Sequence, residues 1–273
     1  MPEVLTWWQA LILGLVQGIT EWLPISSTAH LRIVPALLGW PDAGTSFSAV
    51  IQLGSLVALL IYFWRDLSQF GLQSWHWLRR EPVDPTVGRL LLGILVGTIP
   101  LVILGLAVKV FLGEPPRQLW VVAATSIGLS IVLALAERWG RRQREVKDLT
   151  LGDAIWVGFA QAAALIPGVS RSGGTLTMGL FLHLKREAAA RYSFLLGIPA
   201  LLLSGAVEFV SDFELSNLPI QLAGTLSAFV FSYLTIDALL KFLQRSSTWV
   251  FIIYRVLLGI GILVGLGTGI LTG

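Results

Sequence analysis

Two short polar stretches carry most of the reactive side chains of an otherwise apolar chain. QGITEWLPISSTAH runs from Gln17 to His30, and QAAALIPGVSRSGGT from Gln161 to Thr175. They read as copies of one another, since each begins on a Gln, reaches a Pro and opens into hydroxyls. The first adds Glu21 and His30, the second Arg171. Arg171 stands among Ser170, Ser172 and Thr175, with glycines on both sides. Glycine lets a backbone approach a ligand closely. Hydroxyls and amide N–H groups at a helix start favour an anion, and a guanidinium adds a bidentate fork for phosphate or carboxylate. Ser26, Ser27 and Thr28 follow Pro24. Helix capping explains one of them, yet a serine close to His30 and beside an anion site also supplies a nucleophile with a proton carrier. Glu21 is the only carboxylate of its segment after Glu3 and calls for a partner, Arg171 or a metal ion. Gln17 lies one helical turn before it, on the same face. One carboxylate and one amide make a weak cage for Mg2+ or Ca2+ alone, and an adequate one once substrate phosphate completes the shell. Gln52, in SFSAVIQLGS, is a further candidate to line the cavity, and Trp22 to wall it. Arg255, in FIIYR, is expected near the cytoplasmic interface. His76 and His183 fall in expected interfacial loops and receive no role.

The setting of these residues limits what they can do. The chain is 55% hydrophobic and 13% charged, with a mean hydropathy of +0.78, which is the composition of an integral membrane protein. Its apolar runs are helix-length and rich in Leu, Ala, Gly and Val, which argues against an outer-membrane barrel of alternating strands. The opening MPEVLTWW lacks a basic region of the kind that begins a signal peptide. With no Cys, thiolate metal sites, disulfides and Cys nucleophiles are excluded together. A net charge of +3 invites a nucleic-acid reading, but the basic residues sit in short loops between apolar spans, as membrane orientation requires. Polar and ionisable groups at membrane depth are costly and mark where such a protein works.

Eight apolar segments are expected, near 7–38, 47–64, 89–112, 119–139, 152–182, 192–210, 219–243 and 249–271. Basic loops at 65–89 and 138–147 point to the cytoplasm, as do Lys185, Arg186, Arg191, Lys241 and Arg245. The acidic stretch 211–218 points outside. Segment 152–182 must then begin and end on the cytoplasmic face, so it is a re-entrant hairpin. Its copy, 7–38, enters from outside. The expected fold is an all-α polytopic membrane protein with an inverted-topology repeat. Each half has one re-entrant helical hairpin plus three transmembrane helices, giving six transmembrane helices and two hairpins. One membrane domain spans 1–273, with 1–145 and 146–273 as the repeats. Broken helices in inverted repeats bring non-helical backbone to the midplane, where the two polar stretches should meet. Trp residues near segment ends read as an aromatic belt. The Gly-rich final span, LLGIGILVGLGTG, has a small-residue surface suited to a homodimer and equally to internal packing.

At this point the motifs match a known group. QGITEWLPISSTAH resembles the (Glu/Gln)xxxGlu motif and following Ser-Ser-Thr-x-His of the bacterial undecaprenyl-diphosphate phosphatase, or bacitracin-resistance, family. PGVSRSGGT resembles that family's PGxSRSxxT motif, and SFSAVIQLGSLVALLIYFW, RYSFLLGIPA and FIIYR are similar to further segments, so the likeness covers essentially the whole chain. Gln17 departs from the many members that carry Glu there, which removes a charge and argues against a two-carboxylate metal site. The resemblance implies hydrolysis of undecaprenyl diphosphate to the monophosphate and phosphate, recycling the lipid carrier of peptidoglycan synthesis. It implies a site in the bacterial cytoplasmic (inner) membrane, open to the outer, periplasmic face. It makes Glu21, Ser27, His30 and Arg171 the core, supported by Gln17, Ser26, Thr28, Ser170, Ser172 and Thr175. The rival from the residues alone is a transporter or flippase for a phosphorylated lipid or small anion, because inverted repeats with broken helices are a common transporter plan. Glu21, Ser27 and His30 within ten residues favour the enzyme, since a carrier has no use for a nucleophile beside a proton shuttle.

Overall fold

The Leu-, Ala- and Val-rich runs fold as helices because a buried apolar chain must satisfy its backbone within each segment. The structure, a computed structural model, describes residues 5–111, 113, 118–212 and 218–271, and only the backbone of 206–212. Among the described residues it is built of eleven α-helices and has no strand beyond one isolated bridge between Arg144 and Leu184. The helices are α1 Trp7–Thr20, α2 Ser27–Leu38, α3 Gly44–Tyr62, α4 Trp64–Leu78, α5 Pro85–Phe111 and α6 Leu119–Trp139. They continue with α7 Leu151–Ala162, α8 Arg171–Phe181, α9 Arg186–Asp212, α10 Leu218–Arg245 and α11 Trp249–Gly267. Six of them, α3, α5, α6, α9, α10 and α11, are long and apolar enough to cross a membrane. Each of the two polar stretches interrupts an apolar segment between two short helices, α1/α2 and α7/α8.

The starts of both short pairs are written locally. The N–H of Thr6 donates to Gln9 Oε1 at 2.8 Å ahead of α1. Ahead of α7, Thr150 and Asp153 exchange backbone-to-side-chain bonds of 2.9 and 3.1 Å, a reciprocal cap. Glycines then set how closely the helices cross. A Cβ added at Gly18 would sit 2.7 Å from the Ala228 carbonyl, so α1 lies backbone to backbone on α10. One at Gly158 would strike the Gly97 carbonyl, so α7 lies equally close on α5. Further packing pairs are α10 with α3, α11 with α6, α3 with α9 and α8 with α9. The largest apolar core gathers Trp22, Leu59, Phe63, Leu195, Leu196 and Ile236 around the first break.

Ion pairs tie one end of the bundle. Buried Glu137, at the end of α6, accepts from Arg142 at 3.1 Å, from Arg186 Nε at 2.9 Å and from Thr248 at 2.8 Å. Arg191 at the start of α9 donates to Asp66 of α4 at 2.6 Å. Away from that end, Arg32 pairs with Asp42 between α2 and α3.

Two expectations need correction. The stretch 65–89 is not an open loop: α4 occupies most of it and carries His76. It is strongly amphipathic, burying only Phe70 while Trp64, Trp75 and Trp77 stay exposed, which is how a helix lies along a membrane surface. Arg255 does not sit at an interface but is fully buried. The acidic stretch 211–218 falls largely outside the described residues. Of the final-span glycines, Gly259 packs on Ala123 and Ile127, whereas Gly261 and Gly267 have open space where a side chain would go.

Candidate active site

Both breaks are built on the same turn. Ser26 caps α2 with φ at 73° and accepts from the Ala29 N–H at 3.4 Å. Ser170 caps α8 with φ at 68° and accepts from the Gly173 N–H at 3.1 Å. A serine in the left-handed region is strained and persists only where its surroundings determine it. Here each hydroxyl satisfies a helix-start amide that has no partner inside the helix. The turn leaves Ser27 and Arg171 as the first residues of α2 and α8, at the ends where helix dipoles favour negative charge.

The two starts face each other across Glu21. Ser27 Oγ donates to Glu21 Oε2 at 2.7 Å, and Gln17 Nε2 donates to the same oxygen at 3.2 Å. Arg171 Nη2 donates to Glu21 Oε1 at 3.2 Å, making a pair whose side chains are only 7% and 11% exposed. Ser172 fastens the loops directly, its hydroxyl lying 3.2 Å from the Glu21 carbonyl and 3.1 Å from that of Leu23. Thr175 donates to the Arg171 carbonyl at 2.8 Å and meets the Ser193 hydroxyl at 2.5 Å. The Trp22 indole is fully buried, with the Arg171 guanidinium 5.5 Å from its ring centre and Phe194 edge-on at 5.2 Å.

Both ring nitrogens of His30 are engaged by groups other than the Ser27 hydroxyl. Its Nδ1 lies 2.7 Å from the Ser26 carbonyl and its Nε2 lies 2.6 Å from the Tyr254 hydroxyl, with the two rings stacked at 5.7 Å. A carbonyl only accepts, so Nδ1 carries the proton and a neutral Nε2 accepts from Tyr254. The side chain within reach of the Ser27 proton is therefore Glu21. Thr28 is exposed next to Ser27, and Ser170 Oγ lies 3.3 Å from Ser172 Oγ. Gln52 is half-buried on α3 and makes none of the hydrogen bonds that join the two breaks.

Four further residues reach this site that are not assigned to it from the sequence, although they lie in the RYSFLLGIPA and FIIYR segments. Ser193 and Gly197, on α9, receive Arg171: its Nη1 donates to the Ser193 carbonyl at 3.2 Å, and a Cβ at Gly197 would overlap the guanidinium. Tyr254 and Arg255 reach the breaks from α11. The two Gln residues that begin the polar stretches part company as well. Gln17 has Glu21 four residues on, whereas Gln161 has Leu165 there, and both of its amide atoms are buried without a hydrogen-bond partner among the described residues. The carboxylate of the site is thus supplied by the first stretch and the cation by the second.

Among the described residues no three His, Asp or Glu side chains gather as a metal centre. What stands beside Ser27 is one carboxylate, with the Gln17 amide presenting its nitrogen to it. That carboxylate fits a hard cation that arrives with phosphate oxygens of its own and does not suit a softer metal.

A sequence profile described as bacitracin resistance protein BacA matches residues 10–261 of the chain. An undecaprenyl-diphosphatase of Synechococcus sp. (strain JA-2-3B'a(2-13)) is 64% identical over 265 residues, covering 97% of this chain and 96% of that protein. One of Synechococcus elongatus is 50% identical over 274 residues, covering 97% and 94%. One of Trichormus variabilis is 49% identical over 272 residues, covering 96% and 85%.

Proposed function

The chain belongs to the family of bacitracin resistance protein BacA, and from that premise we infer that it is an undecaprenyl-diphosphatase. It is a multi-pass membrane phosphatase that hydrolyses undecaprenyl diphosphate to undecaprenyl phosphate and inorganic phosphate, the reaction that underlies bacitracin resistance. The observation that carries this reading at the site is the Ser27 hydroxyl held 2.7 Å from a carboxylate that is itself paired with Arg171. A transporter needs the cation and the helix starts, but not a hydroxyl aligned on a base.

In the mechanism we propose, the terminal phosphate is seated by Arg171 and by the amide ends of α2 and α8. Ser172 and Thr175 hold the loop that presents Arg171. Ser27 Oγ bonds to the terminal phosphorus while its proton passes to Glu21, and the bridging oxygen leaves with undecaprenyl phosphate. Water then adds to phosphorus, one of its protons returns to Ser27 Oγ as the P–Oγ bond breaks, and phosphate departs with the proton held on Glu21. Phosphoryl transfer asks mainly for position and charge neutralisation, which these groups supply. His30, bonded on both ring nitrogens, orients the Ser26 turn. Glu21 would hold a Mg2+ or Ca2+ carried in on the diphosphate, joined by Gln17 once its amide turns its oxygen in place of the nitrogen that donates to Glu21, and such an ion would supply further neutralisation of charge.

The finer architecture belongs to the same proposal. The chain is one membrane domain of two inverted repeats, 1–145 and 146–273, each a re-entrant hairpin followed by three crossings. Three features support it. The strained capping serines recur at Ser26 and Ser170. The α1–α10 crossing has its counterpart in α7–α5, hairpin of one half on the middle crossing of the other. The ion pairs Arg142–Glu137–Arg186 and Arg191–Asp66 draw the basic stretches expected in the cytoplasm to one end. The protein would lie in the cytoplasmic membrane with the site open to the outer face, and the open glycines of α11 are where a second copy would pack.

The test is phosphate release from a long-chain isoprenyl diphosphate by purified protein in detergent, with Mg2+, with Ca2+ and with chelator. Release that depends on the cation and disappears in Ser27→Ala and Arg171→Ala is expected. Substantial turnover by Ser27→Ala would remove the phosphoserine step and leave direct attack by water.

A further inference from the structure

Among the described residues Arg255 is the only fully buried arginine, and the mechanism above makes no use of it. Among the described residues it makes five hydrogen bonds, all to backbone carbonyls. Nη1 donates to Pro24 at 3.2 Å and Nη2 to Gly168 at 3.0 Å, with weaker bonds to Val169 at 3.5 Å and, on α6, to Ser126 at 3.4 Å and Thr125 at 3.5 Å. Pro24 stands two residues before Ser26, and Gly168 two residues before Ser170. One guanidinium therefore grips the same position of both strained turns. Thr125 adds a hydroxyl bond of 2.8 Å to the Pro167 carbonyl, so α6 and α11 together back the second turn.

A buried cation without an acidic partner is costly, and in a membrane protein it persists where it serves the working site. A left-handed serine likewise needs its surroundings to hold it. A planar five-donor fork is the side chain suited to bridging carbonyls that lie in two different loops. We propose that Arg255 is a positioning residue for the phosphatase reaction, clamping the two broken-helix turns in register so that Ser27 and Arg171 address the same phosphate. Tyr254, the neighbouring residue, completes the clamp by fixing His30, whose Nδ1 holds the Ser26 carbonyl. The final membrane helix thereby becomes a third component of a site otherwise assembled from the two polar stretches. The inference rests on the phosphatase reading and goes beyond it by assigning a task to a residue that contacts neither nucleophile nor phosphate.

The experiment compares Arg255→Lys and Arg255→Met with the unaltered protein in detergent, following size-exclusion profile, melting and steady-state kinetics on a long-chain isoprenyl diphosphate. Misplacing reacting groups by about 1 Å costs on the order of 100-fold in rate, so kcat of Arg255→Met should fall by about that factor while KM changes by less than about threefold. Arg255→Lys, which keeps the charge but reaches fewer carbonyls, should recover part of the loss. A folded Arg255→Met with near-normal kcat overturns the proposal. So does a loss confined to KM, which would make Arg255 a substrate ligand, and so does a chain that folds with neither replacement, which would make it a folding residue only. Absence of release by the unaltered protein overturns the phosphatase reading itself and this inference with it, whereas release that persists in Arg255→Met overturns this inference alone.

Discussion

Glu21 accepts from three donors on two oxygens: Ser27 and Gln17 on Oε2, Arg171 on Oε1. That arrangement separates roles that composition alone runs together. Arg171→Lys keeps the charge but loses the fork, and removing a donor aimed at developing oxyanion charge costs about 100- to 1000-fold in kcat. Turnover by that variant within a few-fold of normal would show that Arg171 acts only as a point charge. Tyr254→Phe deletes one neutral hydrogen bond, worth about 1 kcal/mol. Its kcat should therefore fall by less than about tenfold, far less than that of Ser27→Ala, and an equal loss in the two would return His30 to the chemistry. At this scale the core of the site is legible in the sequence, because Glu21, Ser27 and Arg171 are out of place in apolar runs and membrane burial makes such residues conspicuous. Ser193, Gly197 and Tyr254 are ordinary residues in ordinary helices, and only their positions matter. Arg255 misleads for a related reason. A lone arginine in a short motif reads as a boundary marker, and nothing local reveals carbonyls supplied by two loops that lie more than eighty residues away in sequence.

Among the elements, the short helices α1 and α7 depend on glycine for their seats on α10 and α5. Gly18→Leu and Gly158→Leu must each push a side chain into a facing backbone carbonyl, and such overpacking costs about 1–3 kcal/mol. Both should lower the melting temperature in detergent by several degrees, whereas Gly261→Ala, with open space around it, should not. Equal melting of all three would mean that α1 and α7 are not held by these crossings. Helix positions follow from the hydrophobic runs, and the breaks follow from Pro with hydroxyls. The α4 helix does not, because its stretch carries Arg65, Arg79 and Arg80 beside four aromatic residues and falls between the signatures of a span and of a loop. Only its amphipathic face identifies it.

For the molecule as a whole, the proposed inverted arrangement makes a prediction about sidedness. The chain contains no Cys, so single cysteines report without background. Asp42→Cys, between α2 and α3, should react with an impermeant maleimide on intact spheroplasts. Arg141→Cys, after α6, should react only once the membrane is opened. Both positions are exposed. Labelling of both from one face would end the inverted-repeat proposal. The proposed orientation comes from the sequence, where lysine and arginine are distributed unevenly among the loops. The packing of α1 on α10 and of α7 on α5 does not, since it is carried by glycines and backbone contacts that leave no periodic trace.

The closed Glu21–Arg171 pair bears on how such a pocket remains usable in a bilayer crowded with anionic headgroups. At rest it is an internal zwitterion, so an intruding anion must first displace a carboxylate already bonded to the guanidinium. A singly charged phosphodiester offers Arg171 little more than Glu21 does, and taking that place leaves a second buried negative charge unpaired. A multiply charged diphosphate head replaces the pair and adds charge for the two helix starts to meet. The site thus sorts its occupants by valence, and an abundant phospholipid is a poor competitor for a scarce pyrophosphorylated one.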